Sequence, residues 1–206
     1  MPKTYKLTYF NLRAKGEPIR LILAYGNIQY EDNRIEFSDW PALKPKTPFG
    51  QLPVLEVDGK PLAQSNAIAR FLAKQCNLMP ATDWEQAQAD ELADLANDIF
   101  TMTRPVNLVL VRDDAKRQSA IPEVLASLAP LLDKVEARLL ANSHGWLVGN
   151  KISWVDLLFF ATTEFCIKLL GKDAFSKYPK QQALFKKIKE MPQIAAYLIK
   201  RKDTMM

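Results

Sequence analysis

Residues 4–10, TYKLTYF, alternate loosely between apolar and polar positions and are rich in β formers, which predicts a first strand. The rhythm then changes. Pro18 falls where an early helical turn tolerates proline, the apolar run IRLILAY follows, and Gly26 stops it, so a helix is expected. Residues 29–35 read as a second strand. The polar stretch through Trp40, Lys44, Pro45 and Pro48 holds too many prolines for a long regular element. Val54–Val57, the pair Asp58-Gly59 and Lys60–Ala63 give the strongest local signal, a hairpin with a two-residue turn. After it, Ser65 opens a helix whose stripe of Ala67, Ile68, Phe71 and Leu72 repeats at spacings of three and four.

A short connection over residues 76–83, containing Pro80 and Asp83, marks a domain boundary, dividing the chain into residues 1–77 and 84–206. Everything after it reads helical. Thr82 with Glu85, or Asp83 with Gln86, fits a capping box that opens a long helix through Phe100. A second long pattern runs through Val124, Leu125, Leu128, Leu131, Leu132, Val135 and Leu139. Ser153 and Asp156 form another box in SWVD, with Ile152 placed to staple onto Leu157. A last amphipathic pattern over residues 181–200 breaks at Met191-Pro192. The first domain's order of strand, helix, strand, hairpin and helix resembles a thioredoxin-like domain. The predicted fold class is therefore an α/β thioredoxin-like N-terminal domain followed by an all-α helical C-terminal domain.

Composition changes this picture little. A chain of 206 residues with 48% hydrophobic content buries a sizeable core, and a 25% charged fraction with a net +5 is ordinary for a soluble protein. No cluster of Lys and Arg interleaved with aromatics appears, so no nucleic-acid partner is expected. The start, MPKTYKLTYF, lacks an apolar core and a small-residue cleavage site, so secretion is not indicated. Asp156, Glu164 and Lys168 interrupt the most apolar stretch, which at about 16 residues falls short of the roughly 20 that span a bilayer. A buried helix, with no membrane partner, is the reading. Cys76 and Cys166 show neither redox nor metal spacing. Asp94 and Asp98 flank Asn97, but spacing alone does not make the oxygen cage a hard cation prefers, and no metal is expected. The sole histidine, His144, lies in NSHGWLVG, an expected exposed loop.

The candidate chemistry lies in the first domain. Tyr9, taken alone, is a strand tyrosine packing its ring; beside a ligand thiol, its phenol donates a hydrogen bond that favours the thiolate over a thiol of pKa about 8.5. Leu52-Pro53 precedes a strand, where a cis bond would turn the Leu52 backbone outward to pair with a peptide. Ser65 is either a plain N-cap or, with Gln64 and the amides of the helix start, a carboxylate binder. Trp40 and Lys44 are a structural pair, or an indole N–H and an ammonium for a second carboxylate. Arg13 and Lys15 supply positive charge behind Tyr9, and Asp98 reads as a helix-surface charge.

The segments YKLTYFNLR, EPIR, DWP, PFGQLPVLEVDGKPLAQSNAIARFL and VGNKISWVD, in this order, resemble the cytosolic glutathione transferases, in particular their sigma-like branch, which includes invertebrate enzymes and haematopoietic prostaglandin D synthase. The resemblance covers essentially the whole chain. It implies a cytoplasmic homodimer with glutathione as co-substrate and hydrophobic electrophiles or lipid-derived molecules as acceptors, in a detoxifying role. Tyr9 would stabilise the thiolate, supported by Arg13 and Lys15. Leu52 and Pro53 would hold the cysteinyl backbone, Gln64 and Ser65 the γ-glutamyl end, and Trp40 and Lys44 the glycyl end. Gly50 and Gln51 would line the pocket, and Asp98 would approach the γ-glutamyl amine from a partner subunit. Phe10, Met102, Val106 and Met205 are the candidates for lining an acceptor pocket. The alternatives are a glutathione-dependent prostaglandin-H2 D-isomerase and a non-catalytic carrier or structural protein of the same fold. Lys15 stands where the prostaglandin synthases carry Arg, TRPVNLV lacks a tryptophan they use, and Asn97 replaces an acid of their cation cluster.

Overall fold

A computed structural model describes residues 3–204 of the chain. They fall into two compact units, one comprising the chain up to Leu78 together with Pro192–Thr204, the other Met79–Met191.

In the first unit, β1 (Tyr5–Phe10) is followed by α1 (Glu17–Tyr25), β2 (Glu31–Ile35), the single turn α2 (Trp40–Leu43), β3 (Val54–Val57), β4 (Lys60–Ala63) and α3 (Ser65–Gln75). The four strands lie in the order β2-β1-β3-β4. β1 and β2 are parallel, as the crossover through α1 requires, and β3 pairs antiparallel with both β1 and β4. This is the thioredoxin-like arrangement expected. Asp58 and Gly59 both take positive φ, 50° and 76°, the geometry that lets a two-residue turn follow the twist of its strands. Leu7 and Leu55 face each other across β1 and β3 and are fully buried, with Ile19, Leu21, Ile22 and Leu23 of α1 and Ile68 and Leu72 of α3 completing the core. β2 begins two residues later than its pattern suggests, at Glu31.

The second unit is helical: α4 (Asp83–Met102), α5 (Asp114–Ala141), α6 (Trp154–Leu170) and α7 (Pro179–Lys189), joined by loops over residues 103–113, 142–153 and 171–178. Of the two possible boxes at the start of α4, the structure uses Thr82 and Glu85. The Glu85 N–H donates to Thr82 Oγ1 at 3.1 Å, and the Thr82 N–H to Glu85 Oε2 at 3.2 Å. α5 starts ten residues before its apolar stripe, because Asp113 accepts the Lys116 N–H at 3.0 Å and caps a polar first stretch. α6 is the core helix, with Trp154, Val155, Leu157 and Cys166 wholly buried.

The last helix, α8 (Pro192–Lys200), packs against α1 and groups with the first unit, whereas the sequence reading puts residues 84–206 in one helical domain. The cause is polar as well as apolar, since Tyr197 and Arg201 both bond Glu17 of α1.

Candidate active site

A cavity of about 300 Å³ opens in the first unit, lined by Phe10, Lys15, Trp40, Gly50, Gln51, Leu52, Pro53, Gln64 and Ser65. These residues come from four places in the sequence. The sheet assembles them: Thr8 of β1 pairs with Val54 of β3, so one step further along, Tyr9 and Phe10 run beside the segment that ends in Leu52-Pro53, whose peptide bond is cis. The β4–α3 junction supplies Gln64 and Ser65, and α2 supplies Trp40. Lys44 ends α2 with its side chain against Gly50, at the margin of the cavity.

At the α3 start, Gln64 is the cap residue, its carbonyl accepting the Ile68 N–H at 2.9 Å, and Ser65 is the first helical residue rather than the cap. Gln64 is held at φ 73° and ψ 111°, a conformation that costs a non-glycine residue on the order of 1–3 kcal/mol. Its side-chain amide donates to Gln51 Oε1 at 3.0 Å. A strained residue that points a polar side chain along a pocket wall, beside a helix N-terminus, is suited to receive an anionic group.

Tyr9, next to Phe10 on β1, is 6% exposed and is not itself among the lining residues. Burial pushes its phenol up to about 12, against the opposing pull of a backbone hydrogen bond from Lys15 and the positive charge of Arg20. The phenol is thus neutral at physiological pH and keeps its proton to donate. The ring is packed on one side by Gly16, where a Cβ would fall 2.5 Å from Tyr9 Cδ1. Burial pulls the Lys15 ammonium below its ordinary value. Phe10 stacks on Phe37 with ring centroids 4.6 Å apart and meets Trp40 edge-on at 5.7 Å, forming an aromatic rim.

The other expected site residues lie elsewhere. Arg13 is turned to the C-terminal segment, its Nη2 donating to the Thr204 carbonyl at 3.2 Å. Asp98 is exposed on α4 and lines a separate cleft of about 480 Å³ in the second unit with Asp94, Leu95, Lys134 and Arg138. Met102 is exposed at the end of α4, whereas Val106 is 1% exposed in the short turn after it. Met205 lies outside the described residues. Among the described residues, no three of His, Cys, Asp and Glu are grouped to hold a metal ion, and no helix is long and apolar enough to cross a membrane.

Three residues went unremarked in the sequence: Gly16, Glu17 and Arg20. The signal was available, because Glu17 and Arg20 put opposite charges three apart at the head of a helix that is otherwise apolar.

The family model for the glutathione S-transferase N-terminal domain matches residues 5–74, and that for the C-terminal domain matches residues 102–201. The chain is 41% identical to the probable glutathione S-transferase 5 of Caenorhabditis elegans, covering 98% of each. It is 40% identical to the hematopoietic prostaglandin D synthase of Gallus gallus, over 97% of this chain and 98% of that one. Among solved structures it resembles the monomeric Na-GST-3 of the hookworm Necator americanus, with a TM-score of 0.91 and 33% identity over 98% of this chain and 100% of that one.

Proposed function

The chain belongs to the glutathione S-transferase family and is an enzyme of it, and from that premise we propose that it joins reduced glutathione to hydrophobic electrophiles through a thiolate stabilised by Tyr9. The observation that carries this reading is the buried phenol of Tyr9, hydrogen-bonded to the backbone of Lys15, which lines the pocket with Leu52, Gln64 and Ser65. Glutathione fits the donor set. Gln64, Ser65 and the α3 amides suit one carboxylate, Trp40 and Lys44 suit the other, and the Leu52 backbone suits the central peptide. Arg13 and Lys15 add positive charge, although Arg13 acts at a distance because its guanidinium is turned to Thr204.

In this mechanism the thiol proton leaves to solvent, and the Tyr9 hydroxyl donates to the sulfur. The thiolate lone pair then forms a carbon–sulfur bond while the leaving group departs with its electron pair, giving a thioether. The pocket's part is to hold the sulfur in place, which removes orientation cost from the step. Phe10, on the aromatic rim of the cavity, is the proposed acceptor contact.

The decisive experiment is glutathione-dependent turnover of a small aromatic electrophile by wild type and by Tyr9→Phe. One hydrogen bond to an anion contributes roughly 1.5–3 kcal/mol, so turnover should fall by about 10- to 100-fold with glutathione affinity largely kept. Equal turnover would remove Tyr9 from the mechanism. A prostaglandin-H2 D-isomerase is the second reading, supported by the 40% identity to the Gallus gallus synthase. It predicts a single rearranged product from an endoperoxide in place of a thioether. A cytoplasmic location belongs to the same proposal, as does self-association. Glutathione binding without turnover of either substrate class would favour a carrier.

A further inference from the structure

The turn that packs beneath Tyr9 is tied to the far end of the chain. Glu17 and Arg20 are buried, at 2% and 0% exposed. Arg20 Nε lies 3.0 Å from Asp32 Oδ1, and its Nη1 donates to the Leu12 carbonyl at 2.9 Å and lies 3.4 Å from Glu17 Oε2. Its Nη2 has no hydrogen-bond partner among the described residues, and the guanidinium carbon stands 5.9 Å from the Tyr9 ring centroid, within reach of a cation–π attraction. The other Glu17 oxygen, Oε1, accepts from Arg201 Nη1 at 2.8 Å and from the Tyr197 hydroxyl at 3.0 Å. Arg13, in the same turn, bonds Thr204 and pairs with Asp203 at 3.7 Å.

We propose that Arg201 and Tyr197 are positioning residues for Tyr9: through Glu17 they fix where the Arg20 charge sits against the phenol ring, and so how strongly the phenol stabilises the glutathione thiolate. The inference rests on the Tyr9 reading above and adds a remote control to it. A buried carboxylate must be compensated. With Arg201 in place Glu17 shares Arg20 lightly, at 3.4 Å, and the guanidinium stays against the ring. Without Arg201, Glu17 keeps Arg20 as its paired cation among the described residues, the guanidinium is drawn towards the carboxylate, and its field at the phenol weakens. The charged and titratable groups around this centre are Lys15 and Glu17 from the turn and α1, Tyr30, Asp32 and Arg34 from the β2 side, and Tyr197 and Arg201 from the C-terminal segment.

The test is the pH titration of the thiolate absorbance of glutathione bound to the full-length protein, in wild type, Tyr9→Phe, Arg201→Met, Arg201→Lys and Tyr197→Phe. Arg201→Met should raise the apparent thiol pKa by about half a unit, roughly a threefold loss of thiolate below it, with glutathione affinity little changed. Arg201→Lys, which keeps the charge, should recover most of the shift. Tyr197→Phe, which removes one hydrogen bond and no charge, should move it less and in the same direction, and it serves if Arg201→Met does not fold. A wild-type thiol pKa in both Arg201→Met and Tyr197→Phe, while Tyr9→Phe raises it, overturns the inference alone. No rise in Tyr9→Phe overturns the Tyr9 reading and the inference with it.

Discussion

At the scale of single residues, the position of one ring is set by the absence of one methyl group. A Cβ on residue 16 would lie 2.5 Å from Tyr9 Cδ1, 2.9 Å from Cγ and 3.2 Å from Arg20 Nη1, so Gly16→Ala must displace the ring or the turn. A displacement of this kind should lower kcat about 10- to 100-fold, with the far-ultraviolet circular dichroism unchanged. Wild-type kcat in that variant would show that the ring need not be fixed. Gln64 is a second case, in which a local cost accompanies a placement. Gln64→Gly would relieve the positive φ, so the melting temperature should hold or rise, while the Michaelis constant for glutathione rises severalfold through the lost amide. Thermal melts and steady-state kinetics on the same preparation check both halves.

At the scale of elements, the start of α6 carries the clearest pH dependence. Asp156 is wholly buried and accepts from the Leu147 N–H at 2.9 Å, the Ser153 N–H at 2.7 Å and the Ser153 hydroxyl at 2.9 Å. Burial outweighs these bonds and raises its pKa to about 6. Because the folded value lies above the unfolded one near 3.9, the folded state holds the proton over a range where the unfolded chain has released it. The contribution is therefore full below about pH 4 and is lost as pH rises through about 6, a change of about 3 kcal/mol. Unfolding free energies of wild type minus Asp156→Asn, measured by denaturant from pH 4 to 7, should fall along that interval. A flat difference would mean the three hydrogen bonds hold the carboxylate ionised throughout.

At the scale of the whole molecule, the open property is self-association. Asp98 is exposed on α4, and in the proposed homodimer it would serve the glutathione site of the other subunit. Light scattering should give twice the chain mass, and Asp98→Ala should raise the Michaelis constant for glutathione while leaving that mass unchanged. A monomer, as the Na-GST-3 relative is described, would leave Asp98 without that role.

The elements were legible because each is a local pattern. The period of two in β1, the Asp58-Gly59 turn and the Thr82–Glu85 box need only neighbouring residues to act, and the family resemblance added the order in which they assemble. Most of the pocket wall was legible too, since Leu52, Gln64, Ser65 and Trp40 lie in compact motifs. Other features were not, because they depend on partners remote in sequence. Nothing near Arg13 announces Thr204, and the hydrophobic period of residues 192–200 is the same whichever core receives it. A charge pair such as Glu17 and Arg20 reads as an ordinary helix surface until the tertiary structure buries it against Asp32, Tyr197 and Arg201. Local patterning thus determined which elements form, while long-range burial decided which charges must be paired and what holds Tyr9 in place.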